Sequence, residues 1–214
     1  MFKQVIFDCD GVLVDTEIVA AQVMVKKLSE QGINITTDHY FKTYTGSTFS
    51  GIFRKLLPDL SPDKLTELVN ECENDVYERL IPIEGMVEVV NSIVLPTAVV
   101  SNSYLWQVNK AITTLGLDES IKHKFSSEMV ARPKPAPDVY IHAAKTSGYK
   151  PGECLVVEDS KSGVSAAVSA GMTVIGFTGG SHIQPGHAEA LIKKGAVKTA
   201  SSADELLLVI NSLL

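Results

Sequence analysis

The first predicted strand, "QVIFD" at residues 4–8, and the turn "CDG" at residues 9–11 decide the fold of this chain. The apolar run leads directly into two carboxylates, Asp8 and Asp10. Because side chains alternate along a strand, both carboxylates point to the same side, a few ångströms apart. Two like charges that close repel each other unless they share a proton or a cation binds. The stretch therefore predicts a functional site at the end of a buried strand.

Length, charge and cysteine content limit the class of protein. The chain has 214 residues, enough for a sizeable core, and a formal net charge of −6, which argues against a nucleic-acid partner. No stretch is long and apolar enough to span a membrane, and the N-terminus shows no secretory signal, so we expect no membrane partner. The three scattered cysteines form no CxxC pair and predict a reducing, cytoplasmic location. We expect a monomer.

A repeated alternation of strand and helix follows the first strand. The further predicted strands are residues 97–101, 154–159 and 173–178, with a weaker one at residues 124–130. The helical segments between them end at Gly116, Gly148 and Gly171, where a C-terminal cap favours glycine. Near-continuous apolar strands alternating with helices predict an α/β fold, a doubly wound parallel sheet of Rossmann-like type.

The gap between the first two strands is far longer than a single crossover helix requires. Within it, Ile18, Ala21 and Val25 recur at helical spacing, and a similar stripe begins at Leu65. We interpret residues 16–82 as a small helical domain inserted into the first crossover. Residues 1–15 and 83–214 then form the α/β core domain.

Polar side chains follow four of the predicted strands. These are Asp8 with Asp10, Ser101 with Asn102, Lys134, and Glu158 with Asp159. In open α/β sheets, ligands bind beyond the carboxyl ends of the strands. Four clusters at that end predict one crevice with several carboxylates, a hydroxyl and a cationic side chain.

The chemistry of this crevice follows from its charges. Four carboxylates beside one lysine favour a divalent cation with oxygen ligands, and Mg²⁺ suits a few carboxylates combined with water and a phosphate. The cation, Lys134 and the Ser101 hydroxyl together form a receptor for a phosphate group. Asp8 can then act as the nucleophile that forms an aspartyl-phosphate, and Asp10 can give and take the proton.

Four stretches resemble the motifs of the haloacid dehalogenase superfamily, in order and spacing: "DCDGVLVDTE", "VVSNS", "RPKPAPDVY" and "VVEDSKSGVSAAVSAG". The match extends over nearly the whole chain. Within the superfamily, the chain is similar to phosphatases of the β-phosphoglucomutase-like group, including sugar-phosphate and 6-phosphogluconate phosphatases. The resemblance implies a magnesium-dependent phosphatase with a small phosphorylated metabolite as substrate, and it implies that residues 16–82 are a cap domain.

The resemblance also implies roles for individual residues. Asp8 resembles the nucleophile and a magnesium ligand, and Asp10 the general acid/base, with its backbone carbonyl as a second ligand. Lys134 would neutralise the phosphoryl group and orient Asp8. The remaining implied roles are phosphate binding for Ser101 and the backbone N–H groups around Asn102, and magnesium binding for Asp159 and, directly or through water, Glu158.

The cap segment contains a small-residue turn, "YTGSTFSG" at residues 44–51. The resemblance suggests that it contacts the non-phosphate part of the substrate. Thr45, Ser47 and Thr48 offer hydroxyls suited to a sugar, and Gly46 permits a close backbone approach. A plain interhelical turn is the alternative interpretation.

Two alternatives to a phosphatase remain open. A phosphosugar mutase would protect the aspartyl-phosphate from water, but its expected histidine is replaced by Ala20, and its basic cap residue is missing before Arg54. A non-catalytic phosphate-binding protein would more readily have lost Asp8 or Asp10. We interpret Ser103 and Ser160 as helix caps. The histidines are interpreted as surface residues: His39, His123, His142, His182 and His187.

Overall fold

The computed structural model describes residues 1–214, which form two compact units. The first unit consists of Met1–Asp15 and Pro82–Leu214, and the second of Thr16–Ile81. Pro82, at the edge of the predicted inserted segment, belongs to the first unit. No helix in either unit has the length and hydropathy needed to cross a membrane.

A six-stranded parallel sheet forms the first unit, with strand order β3-β2-β1-β4-β5-β6. The strands are β1 (Gln4–Phe7), β2 (Thr97–Ser101), β3 (Ile121–Ser126), β4 (Cys154–Glu158), β5 (Thr173–Phe177) and β6 (Lys198–Ala200). From β1 the chain builds outward in one direction through β2 and β3, and then in the other through β4 to β6. A crevice is expected at this reversal, at the carboxyl ends of β1, β2 and β4.

Helices alternate with these strands. They are α5 (Met86–Ser92), α6 (Leu105–Thr114), α7 (Asp138–Ser147), α8 (Lys161–Ser169), α9 (His187–Lys193) and α10 (Ala203–Leu213). Ile6 and Val156 alternate with neighbours that face the other side of the sheet, and they pack in one buried cluster with Tyr140 of α7 and Val164 of α8. The reversal of strand order places further helices on the opposite face. The predicted doubly wound α/β fold is confirmed.

Two parts of the sheet differ from the prediction. The weak strand expected at residues 124–130 begins earlier and ends at Ser126, after which residues 127–129 form one 3₁₀ turn. The Ser126 hydroxyl accepts the backbone N–H of Glu128 at 3.2 Å, and this side-chain bond begins the turn. The edge strand β6 was not predicted, because three residues are too few for an alternation of apolar and polar side chains to be visible.

Four helices make up the second unit: α1 (Thr16–Glu30), α2 (Thr37–Tyr44), α3 (Phe49–Leu56) and α4 (Pro62–Glu78). They enclose a core of their own, in which Met24, Tyr40 and Phe53 are fully buried. Side-chain hydroxyls begin three of the helices: Thr36, Thr48 and Ser61 each accept a backbone N–H from the first turn.

The ends of the second unit connect to adjacent positions of the first. Val14, just before the helices begin, forms an antiparallel bridge with Pro82, just after they end. The Ile83 N–H donates to the Leu13 carbonyl at 3.0 Å. The chain therefore leaves and re-enters the first unit through two paired segments.

Helix α8 begins directly beneath a buried carboxylate at the end of β4. Ser160 caps the helix by accepting the Gly163 N–H at 2.9 Å. Glu158 is fully buried, and a Cβ atom on Gly163 would overlap its carboxylate. Glycine is therefore required at position 163 by the space available, not by its backbone angles.

We expect Gly163→Ala to lower the free energy of unfolding by about 3 kcal/mol, because overpacking would displace a buried charged group from its partners. The matched control is Gly152→Ala, where a Cβ atom would meet no atom within 4 Å. Its effect should stay within about 0.5 kcal/mol. Urea unfolding followed by far-ultraviolet circular dichroism measures both. Equal stabilities of the two variants would contradict the proposed overlap.

Candidate active site

The predicted site residues of the first unit lie at the carboxyl ends of β1, β2 and β4. Asp8 follows β1, Ser101 ends β2, and Glu158 ends β4 with Asp159 directly after it. Gly11 makes the turn after Asp10 possible, since its φ is +77°. A Cβ atom at this position would also overlap the Asp159 carboxylate. The turn and the acidic group therefore fit together only with glycine.

Three acidic side chains converge at the centre of this edge. One carboxylate oxygen each from Asp8, Glu158 and Asp159 lies within 4.8 Å of the others, and all three residues are buried. The Lys134 ammonium lies beside them, 2.9 Å from Asp8 Oδ1 and 2.8 Å from Glu158 Oε1. Residues far apart in the chain thus form a single buried cluster with an excess of negative charge.

The pKa values reflect this crowding. Burial, reinforced by the Glu158 carboxylate, raises the pKa of Asp8 well above its usual value, and Lys134 only partly opposes the rise. Burial and Glu158 raise the pKa of Asp159 in the same way. Burial alone would lower the pKa of Lys134, but Asp8 and Glu158 outweigh it and hold that pKa well above its usual value. Lys134 therefore stays protonated, whereas the carboxylates have too little positive charge beside them to offset their mutual repulsion.

Lys134 uses all its donors within the protein. Besides the two carboxylates, its ammonium donates to the Val100 carbonyl at 3.0 Å, so its three N–H groups are satisfied. The Asn102 side chain fixes the loop that carries it, accepting the Lys134 N–H at 2.9 Å and donating to the Lys134 carbonyl at 3.2 Å. The Asn102 amide group thus positions the lysine.

Glu158 accepts hydrogen bonds on both carboxylate oxygens. Oε1 accepts from Lys134 at 2.8 Å and from the Tyr140 hydroxyl at 3.3 Å. Oε2 accepts the backbone N–H and the hydroxyl of Ser160, at 2.8 Å and 3.0 Å. Ser160 caps α8, as predicted, and it also holds Glu158.

Asp10 is bound by two hydroxyls. Its Oδ2 atom accepts from Ser103 at 2.7 Å and from Ser101 at 3.1 Å. The interpretation of Ser103 as a helix cap is wrong, because Tyr104 occupies the N-cap position of α6. Ser103 instead lies beside Asp10, a placement that depends on the turn after β2 and that no local pattern indicated.

Sequence reasoning also missed two histidines, and their interpretation as surface residues is wrong. His182 Nε2 lies 3.1 Å from Asp159 Oδ2, and the His182 side chain is only 11% exposed. His187 Nε2 lies 2.6 Å from the Asp159 carbonyl oxygen. Neither shows metal-ligand spacing, and both are brought to Asp159 by the loop after β5, so only the fold could reveal them.

The predicted cap-loop residues lie in the second unit, between α2 and α3. The Thr45 hydroxyl donates to the Phe41 carbonyl at 2.7 Å and so is used by its own helix end. Gly46 has a φ of +77°, and Ser47 is exposed. The Thr48 hydroxyl caps α3, so helix ends use two of the three predicted hydroxyls.

The acidic residues fit a hard divalent cation. Their ligand atoms are all oxygens, and Mg²⁺ favours such oxygens. The Asp159 Oδ1 atom is buried and has no hydrogen-bond partner in the protein, a costly arrangement that a bound cation would remove. Asp8 Oδ1 accepts from Lys134, and a carboxylate oxygen has a second lone pair that a cation can use, which leaves Oδ2 free for other chemistry.

Comparison with known proteins agrees with this geometry. The family model described as haloacid dehalogenase-like hydrolase matches residues 5–177. A 6-phosphogluconate phosphatase of Escherichia coli strain K12 is 29% identical over 193 residues, covering 86% of this chain and 86% of the relative. The predicted resemblance to this group of phosphatases is confirmed.

Two solved structures share the whole fold. A conserved haloacid dehalogenase-like protein of Agrobacterium tumefaciens has a TM-score of 0.85 and 34% identity, covering 100% of this chain and 99% of its own. A hydrolase of the same family from Deinococcus radiodurans, solved with bound phosphate and sodium, has a TM-score of 0.84 and 31% identity, covering 100% and 97%. With the family model matching most of its length, this chain belongs to the haloacid dehalogenase-like hydrolases, as its four motifs predicted.

Proposed function

We propose that this chain is a magnesium-dependent phosphatase that hydrolyses a small phosphorylated metabolite through an aspartyl-phosphate intermediate. The buried cluster of Asp8, Glu158 and Asp159 beside Lys134, in a chain of this family, carries the proposal. Relatives named as phosphatases support a phosphoric monoester hydrolase. A cytoplasmic monomer remains our prediction for location and assembly.

Asp8 performs the first half of the reaction. Lys134 holds its Oδ1 atom, which leaves Oδ2 to attack the phosphorus atom. The new bond joins Asp8 to phosphorus as the ester P–O bond breaks, and Asp10 gives its proton to the departing alcohol oxygen. In the second half, Asp10 takes a proton from water, which attacks phosphorus and releases Asp8 and inorganic phosphate.

Asp8, Asp159 and the Asp10 backbone carbonyl would hold the magnesium ion. When bound, the ion supplies positive charge beside the phosphoryl oxygens. Because both oxygens of Glu158 already accept hydrogen bonds, Glu158 acts through water and through its hold on Lys134. Lys134 adds a fixed charge next to Asp8 without giving up its hydrogen bonds.

Ser101 and the backbone N–H groups around Asn102 bind the phosphoryl group. The Ser101 hydroxyl donates to Asp10 in this structure and can rotate to a phosphoryl oxygen, since Ser103 also holds Asp10. This exchange leaves Asp10 with one fixed hydrogen bond while it transfers its proton.

A sugar phosphate or sugar acid phosphate, such as 6-phosphogluconate, is the proposed substrate class. The E. coli relative named for that activity supports the class, at an identity of 29%. The exposed Ser47, with Thr45 and Gly46, forms the proposed contact for the non-phosphate part of the substrate. This contact rests on the family resemblance.

A mutase and a non-catalytic phosphate-binding protein are less well supported. Ala20 cannot supply the proton transfer expected of a mutase at that position, and the cap loop has no basic residue before Arg54 for a second phosphate. The structure holds Asp8 and Asp10 in an ordered, hydrogen-bonded arrangement that simple phosphate binding does not require.

Asp8→Asn should reduce phosphatase turnover to less than about 1% of the wild-type rate, because an amide cannot act as the nucleophile. The change is nearly isosteric, so circular dichroism should show an intact fold. Asp118→Asn, at an exposed carboxylate paired with Lys124, is the matched control and should keep full activity. Substantial turnover by the Asp8→Asn protein would exclude covalent catalysis by Asp8.

Removal of divalent cations with a chelator should abolish phosphate release, and added Mg²⁺ should restore it. Ca²⁺ should not restore it, because it prefers longer bonds and more ligands than this cluster offers. Phosphate release is measured after dialysis and after each addition. Full activity in the chelated protein would contradict a metal-dependent reaction.

Product analysis distinguishes a phosphatase from a mutase. The protein is incubated with β-glucose 1-phosphate and a bisphosphate primer, and separately with 6-phosphogluconate. We expect inorganic phosphate to be released from at least one small sugar phosphate or sugar acid phosphate, with no isomer formed. Chromatography of the sugar phosphates and a phosphate assay follow the two outcomes. Rapid formation of glucose 6-phosphate without inorganic phosphate would contradict the proposed phosphatase and support a mutase.

A further inference from the structure

The loop between β5 and α9, together with the first residue of α9, holds Asp159 at two points. His182 Nε2 lies 3.1 Å from the side-chain oxygen Oδ2, and His187 Nε2 lies 2.6 Å from the backbone oxygen. A carbonyl and an ionised carboxylate can only accept hydrogen bonds, so each histidine donates from Nε2. Two donors, one from the loop and one from the start of α9, thus fix both the backbone and the carboxylate of this residue.

The loop is itself anchored to other segments of the first unit. Asp15 accepts the Ser181 N–H at 3.0 Å and the Ser181 hydroxyl at 2.8 Å. Thr178, at the start of the loop, donates its N–H to the Ala200 carbonyl at 2.8 Å. The chain leading to His182 is therefore held at the residue directly before it and again at the start of the loop.

Two glycines leave the room that this arrangement needs. A Cβ atom on Gly180 would lie 2.9 Å from the His182 ring, and one on Gly11 would lie 3.1 Å from the same ring. The imidazole is thus packed between two backbone turns, with its side chain 11% exposed and that of Asp159 7% exposed. A packed, donor-bearing ring is a means of fixing the direction of a carboxylate.

The two oxygens of Asp159 differ in their surroundings. Oδ2 is bound by His182, whereas Oδ1 is buried without a hydrogen-bond partner in the protein. We infer that His182 is a positioning residue of the cation site: it holds Oδ2 and so directs Oδ1 toward a divalent cation. The inference rests on the proposed magnesium-dependent function and assigns to His182 a role outside the four motifs.

The hydrogen bond does not depend on the charge of His182, since a neutral ring protonated at Nε2 donates equally well. What matters is a donor at that distance from the main chain. Glutamine places its amide nitrogen the same number of bonds from Cα as Nε2 of histidine, whereas asparagine ends one bond short. A comparison of histidine, glutamine and asparagine at position 182 therefore distinguishes the effect of the donor from the effect of the rest of the ring.

Binding of Mn²⁺ to the full-length protein, measured from the paramagnetic resonance signal of the free ion, tests this inference without an activity assay. We expect His182→Ala and His182→Asn each to raise the dissociation constant about 10–100-fold, and His182→Gln to restore it to within a few-fold of wild type. His123→Ala, at an exposed histidine of β3, is the matched control and should bind as wild type does. The Mg²⁺ concentration for half-maximal phosphate release should rise in parallel, with the rate at saturating Mg²⁺ largely recovered.

The possible outcomes are distinguishable. Unchanged Mn²⁺ binding in the His182→Ala and His182→Asn proteins would overturn the role of His182 while leaving the proposed phosphatase intact. Equal losses of Mn²⁺ binding in the His182→Gln and His182→Asn proteins would do the same. Failure of the wild-type protein to bind Mn²⁺ would remove the cation site and the inference together. Circular dichroism checks the fold of each variant, and the Asn and Gln variants give the decisive comparison if His182→Ala does not fold.

Discussion

The buried ammonium of Lys134, shared between Asp8 and Glu158, is the interaction on which the rest of the site depends. Two carboxylates about 4 Å apart repel by roughly 4 kcal/mol at an effective dielectric constant of about 20, so their approach requires a positive charge. The lysine provides it from a third segment of chain, fastened by Asn102 and with the Tyr140 ring 5.0 Å from its ammonium. Charges buried in this way are costly unless every partner is in place. The ends of β1, β2 and β4, the Lys134 loop and α7 are therefore constrained together.

One chemical group, the carboxylate, occurs four times at this edge of the sheet, and its neighbours differ each time. Asp8 has an ammonium, Asp10 two serine hydroxyls, Glu158 a full set of donors, and Asp159 an imidazole with one oxygen left over. Different surroundings therefore leave identical groups with different hydrogen bonds and different free oxygens. The proposed division into nucleophile, proton carrier and cation ligand is based on these neighbours.

The sequence allowed much of the fold to be predicted, since buried parallel strands such as residues 97–101 and 154–158 are marked by short apolar runs and polar ends. The positions of Asp8 and Ser101 were predictable because each lies at the end of such a run, and that of Lys134 because its loop follows the weaker strand. The contacts of Ser103, His182 and His187 with the acidic residues could not be predicted. They join segments far apart in the chain, and no periodic sequence pattern indicates them. The short strand β6 and the helices α5, α9 and α10 were not predicted; α5, α9 and β6 are brief.

The antiparallel bridge between Val14 and Pro82 has a consequence for how such a chain can change over evolutionary time. The two positions are joined across the base of the inserted segment, and that segment encloses an apolar core of its own. Its length and sequence can drift, shrink or be exchanged for another fold while the junction stays closed and the parallel sheet keeps its register. Selection can thus alter the inserted helices without disturbing the acidic residues at the strand ends, and a single reactive centre can be inherited by lineages that handle different molecules.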